Sequence, residues 1–111
     1  MYDFRKISKI LRFKIRPIIV KGRSMNPAIQ DGQIVWVDYS KEGLIKINIG
    51  DILLFKNPQG KNLIIKRVSK IDPNKGYWMT GDNNFPLEST DSNKFGYVKS
   101  EYLRGKILFH N

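Results

Sequence analysis

The chain has 111 residues, enough for one domain with a modest core. Its residues are 41% hydrophobic and 12% aromatic, the balance of a folded chain, and its formal net charge is +10. There is no cysteine and the one histidine is His110. Disulfides, thiolate metal sites and cysteine nucleophiles are therefore excluded, and a zinc site or a Ser-His-Asp triad is poorly served. No cofactor is expected.

The charge is uneven, because residues 1–23 hold eight Lys or Arg against a single Asp. Such an end attracts anionic lipid, nucleic acid or an acidic partner, or is simply a solvated basic face. Phe4, Ile7, Ile10, Leu11 and Ile15 recur among these charges at roughly helical spacing. They predict a short basic amphipathic segment over residues 1–16, ahead of a domain over 17–111. That segment either packs on the domain or makes a peripheral membrane contact. Spanning a bilayer takes about 20 mostly apolar residues, and charges interrupt every run here. Nor is there the continuous apolar stretch of a cleavable signal peptide. The expected location is cytoplasmic, at most peripheral to a membrane.

Beyond residue 17 the pattern turns to short strands. Ile18-Ile19-Val20 and Ile34-Val35-Trp36-Val37-Asp38 are separated by a turn-rich stretch ending at Asp31-Gly32. Residues 43–48 read as a loop or short strand. Ile52–Lys56 and Asn62–Val68 read as a hairpin about the turn Asn57-Pro58-Gln59-Gly60, followed by a strand over Tyr77–Thr80. Residues 81–96 are polar and interrupted by Gly and Pro, the composition of a loop that carries function. Tyr97-Val98 and Gly105–Phe109 are strand-like. The fold class is mainly β, coiled or barrel-like, with a short N-terminal helix.

Two residues invite chemistry. Ser24 follows a strand and a glycine and precedes a turn, a position that suits either a backbone cap or a presented nucleophile. Lys66 lies in an apolar strand, where alternation puts Ile64, Lys66 and Val68 on one face and Ile65 and Arg67 on the other. A lysine so placed either snorkels to water or is desolvated, and desolvation lowers its pKa towards that of a general base. A neutral Lys66 could take the Ser24 proton, as in Ser-Lys variants of the serine triad.

Gly22-Arg23-Ser24-Met25-Asn26-Pro27, then Gly50-Asp51-Ile52, Lys66-Arg67-Val68, Gly81-Asp82-Asn83 and Ser89-Thr90-Asp91-Ser92 with Phe95-Gly96, follow one another in the order and spacing of a known family. The chain resembles the type I signal peptidases over about residues 18–108. The resemblance implies the mostly β catalytic core shared with LexA-type self-cleaving repressors. It implies Ser24 as nucleophile and Lys66 as general base, Ser89 as the serine that bonds and aims the lysine, and Asp91 as a structural acid near the site. Gly22, Met25, Asp82 and Asn83 match supporting positions, and the Ser24 N–H would donate to the oxyanion. Two departures stand out: Asn93 replaces the arginine that pairs with the aspartate, and Gly22 replaces a serine that offers a second oxyanion donor.

In its shortness and in its Gly-Arg-Ser-Met and Ser-Thr-Asp-Ser wording, the chain looks like the nickel-type superoxide dismutase maturation proteases, which remove a short leader from the dismutase precursor. A protein precursor is then the expected partner. The runner-up is a signal peptidase-like enzyme cutting the leaders of exported proteins. A non-enzymatic reading, a basic β-barrel stacking nucleic acid on Trp36, Tyr39, Tyr77 and Trp78, competes with those aromatics simply being core. The core assignment is preferred, and no nucleic acid is expected.

Overall fold

Four consecutive apolar residues, Ile52-Leu53-Leu54-Phe55, form a strand with no wet face, all four being 5% exposed or less. Successive side chains of a strand point to opposite sides, so such a run demands a core on each side of its sheet. Both cores are present in the computed structural model of the protein, which describes residues 14–83 and 90–110. The strands are β1 (Ile15–Ile19), β2 (Ile34–Asp38), β3 (Ile52–Lys56), β4 (Leu63–Asp72), β5 (Gly76–Thr80) and β6 (Leu103–His110). They form one antiparallel sheet in the order β1-β2-β6-β3-β4-β5. The expected mainly β architecture is thus what these residues build, with β1 and β5 as the edges of the sheet.

On one face Ile52 and Leu54 pack with Val35, Val37, Met25 and Ile29. On the other, Leu53 and Phe55 pack with Ile64, Val68, Met79 and Leu103, and Phe55 meets Phe95 edge to face at 5.9 Å. Each large side chain fully buried in this way contributes about 1.5–3 kcal/mol.

Several boundaries differ from the sequence reading. Residues 41–45 are helical rather than loop or strand, because Ser40 caps them: its Oγ accepts the Gly43 N–H at 3.1 Å. The first strand reaches back from Ile18 to Ile15 and includes Pro17, which an edge strand tolerates since a missing N–H costs nothing on its open side. The expected strand over 62–68 runs on to Asp72 through a register shift between Val68 and Lys70. Tyr97-Val98 supplies only an isolated bridge to Tyr77. Within the long polar stretch, Ser92–Phe95 is a helical turn. The aromatics are not central core either. Trp36 is 38% exposed on β2, Tyr39 and Tyr77 pack at the margins of the two cores, and Trp78 stacks edge to face on Tyr97. Residues 1–13 of the expected basic helix lie outside the described residues.

Candidate active site

The loop that carries Ser24 is closed at its base by paired main-chain bonds. Val20 N–H donates to the Gln33 carbonyl at 2.9 Å, and Gly32 N–H donates to the Val20 carbonyl at 2.8 Å. Gly22 turns the chain with φ +102° and donates its N–H to Asp31 Oδ1 at 2.8 Å. That left-handed conformation suits glycine, so a serine with a second oxyanion donor would be strained here. On the other side of Ser24, Met25 and Ile29 are 2% and 0% exposed and anchor the loop in the first core. Ser24 is thereby held half-buried between a hinge and an anchor.

It opens on a groove of about 380 Å³ whose other walls include Ile18, Val20, Tyr39, Leu54 and Ile65. The lining is largely aliphatic, so it suits apolar groups.

Lys66 is opposite Leu53 in the β3–β4 register and is 3% exposed. Ile64 and Val68, its neighbours on the same face, are buried as the alternation predicts, so the lysine is desolvated rather than snorkelling. Lys66 meets the Ser24 loop at Gly81. A Cβ built on Gly81 would lie 2.7 Å from the Ser24 carbonyl oxygen and 3.6 Å from Lys66 Nζ. A side chain at this position would collide with the Ser24 carbonyl oxygen, while Lys66 Nζ would stand at ordinary contact distance from it.

Burial pushes the Lys66 pKa below the ordinary lysine range, and the Asp91 carboxylate pushes it back up by a smaller amount. Asp91 is itself buried and caps the turn Ser92–Phe95, accepting the Asn93 N–H at 2.9 Å. Ser92 Oγ accepts the Met79 N–H at 2.7 Å and ties that turn to β5. Asn93 therefore enters the site as a main-chain donor to the aspartate. Ser89, expected to aim the lysine, lies outside the described residues.

These charges have a testable consequence. Asp91→Asn keeps a good capping side chain but removes a carboxylate charge that raises the Lys66 pKa. The acid limb of the activity–pH profile should then move to lower pH, because the lysine loses its proton more readily. Measuring kcat/KM against pH for wild type and variant checks this; an unmoved or alkaline-shifted limb would refute it.

One part of the site was not foreseen. Arg67, on the face opposite Lys66, forms a two-pronged ion pair with Asp82, Nε to Oδ1 at 2.9 Å and Nη2 to Oδ2 at 2.7 Å. Its Nη1 donates to the Gly50 carbonyl at 2.7 Å. Arg67 thus joins the start of β3 to the segment after β5. The next residue, Asn83, donates its main-chain N–H to the Ser24 carbonyl and its Nδ2 to the Arg23 carbonyl, both at 2.9 Å. The only sequence signal for the pair was an arginine and an aspartate in two neighbouring boxes, with nothing to say that they meet.

Several known proteins are similar in sequence to this chain. Mitochondrial inner membrane protease subunit 1 of Mus musculus is 30% identical over 112 residues, an alignment covering 83% of this chain and 66% of that protein. The Homo sapiens subunit 1 matches with the same identity and coverage. Mitochondrial inner membrane protease subunit 2 of Schizosaccharomyces pombe is 26% identical over 118 residues, covering 80% of this chain and 60% of its own length. The chain thus spans a little under two thirds of these relatives. The family model described as signal peptidase, peptidase S26, matches residues 7–71, a stretch that includes the Ser24 loop, both hairpin strands and Lys66, and the chain belongs to that family.

Proposed function

We propose that this chain is a serine endopeptidase working through a Ser24–Lys66 dyad, and that it removes a short leader from a protein precursor. The observation that carries the reading is the meeting at Gly81 of a buried, pKa-lowered lysine and the main chain of a groove-lining serine. Neutral Lys66 takes the Ser24 Oγ proton as Oγ bonds to the scissile carbonyl carbon. The Ser24 N–H donates to the resulting oxyanion. Collapse breaks the C–N bond, and the Lys66 ammonium gives its proton to the departing amine. Water, deprotonated by Lys66 in turn, hydrolyses the acyl-serine and restores both groups.

For the substrate we favour the leader of a nickel superoxide dismutase precursor, cut in the cytoplasm, on the wording of the Ser24 and Asp91 boxes. A second reading is cleavage of the leaders of exported proteins at a membrane surface. It draws on the basic start of the chain and on relatives named as inner-membrane proteases. No helix among the described residues is long and apolar enough to cross a membrane.

The test is incubation of the purified protein with two peptides, one spanning the dismutase leader junction and one an exported-protein leader, with products read by mass. A single cut in the first peptide, absent in Ser24→Ala, is the expected result. A Ser24-dependent cut confined to the second keeps the dyad and moves the substrate to secretion. Cleavage that survives Ser24→Ala at the wild-type rate would overturn the enzyme reading.

A further inference from the structure

We infer that the Asn83 side chain is a positioning residue that aims the oxyanion donor of Ser24, an inference that rests on the dyad reading above. A peptide group is planar, so its C=O and N–H are rigidly linked and, in the trans form, point in opposite directions. The N–H of Ser24 belongs to the same peptide plane as the carbonyl of Arg23. Whatever fixes the Arg23 carbonyl therefore fixes the direction in which the Ser24 N–H donates.

Hydrogen bonds from two directions hold that carbonyl. Asn26 N–H donates to it at 3.1 Å, closing the turn around Ser24 and Met25, and Asn83 Nδ2 donates at 2.9 Å from 60 residues further along the chain. A turn bond alone leaves the plane free to rock with the loop. The second bond, from a separate segment, sets its tilt. Asn83 also pins the next peptide, donating its own N–H to the Ser24 carbonyl at 2.9 Å. The peptide units on both sides of the Ser24 Cα are thus held by one residue.

Asn83 is firmly seated for this task. The preceding Asp82 is gripped by the Arg67 fork, and before it Gly81 allows close approach of the Ser24 main chain. The chain of support runs from β4 through Asp82 to Asn83 and on to the Arg23–Ser24 peptide. A donor aimed before the charge develops costs no reorganisation during the reaction, which is the source of its catalytic value.

The experiment uses whichever leader peptide the wild-type protein cleaves, and measures kcat, KM, the pH profile and the thermal midpoint for Asn83→Ala and Asn83→Asp. Both variants keep the main-chain bond to the Ser24 carbonyl. The first deletes the side-chain donor, and the second sets an acceptor oxygen against the Arg23 carbonyl. The expected result is a fall in kcat of about tenfold or more in each, short of the roughly 10²–10³ lost with an entire oxyanion donor. KM, the acid limb and the thermal midpoint should stay close to wild type, because ground-state binding, Lys66 and the cores are untouched. Full kcat in Asn83→Ala would overturn the inference, as would a loss expressed only in KM, a displaced acid limb or a loss matched by unfolding. A wild type that cleaves neither peptide would instead overturn the protease reading, and this inference with it.

Discussion

Lys66→Arg should abolish cleavage, lowering kcat/KM by about 10⁴-fold, the scale on which removing a member of a serine triad acts. The reason is protonation rather than size. Arginine keeps its positive charge at every pH the protein survives, so it cannot take the Ser24 proton. The measurement is steady-state cleavage of the leader peptide, with far-UV circular dichroism to show that the sheet persists. A variant retaining more than about a tenth of wild-type activity would remove Lys66 from the dyad. The same substitution separates the proposed peptidase from a basic binding module, which would exchange one cation for another at little cost.

Gly81→Ala should lower kcat by about 10²-fold, the loss expected when a reacting group is displaced by about 1 Å. The new methyl would meet the Ser24 carbonyl oxygen at 2.7 Å, well inside contact distance for carbon and oxygen, with Lys66 Nζ at 3.6 Å on its other side. That oxygen is main chain and already accepts the Asn83 N–H, so relief comes by moving the whole nucleophile loop. Pre-steady-state cleavage should show the acylation step slowed, with the Ser24 loop and Lys66 moved apart. Wild-type acylation in a folded Gly81→Ala protein would mean that the loop yields without disturbing the dyad.

The sequence reading succeeded where physics is local and failed where it is long-range. Ile34–Asp38 and Ile52–Lys56 were legible as strands because turns bound short apolar runs. The facing of Lys66 followed from a period of two. The helical turn after Ser40 was hidden by Gly43, a poor helix former, and by a capping bond that composition alone does not reveal. Pro17 disguised β1, because its tolerance there depends on being at the sheet edge, a property of the assembled sheet. Arg67–Asp82 and Asn83–Arg23 join residues 15 and 60 positions apart, and no periodicity announces such bonds. The family boxes marked Asp82 and Asn83 as supporting positions, while their task, bracing the Ser24 loop, is visible only in three dimensions.

The place of β6 in the sheet bears on when the Ser24 loop and Lys66 come to share one fold. The candidate nucleophile, Ser24, belongs to the loop between β1 and β2, and the candidate base to β4, on the far side of the strand order. Among the described residues only β6 pairs with both halves, through β2 on one side and β3 on the other. During synthesis, residues 15–38 and 52–80 emerge as two ribbons with no shared strand pairing until residues 103–110 are made and slot between them. Closing contacts over such separations is slow. The strand nearest the end of the described residues is therefore the one that joins the two ribbons, so the sheet holding the Ser24 loop and Lys66 closes only when residues 103–110 pair.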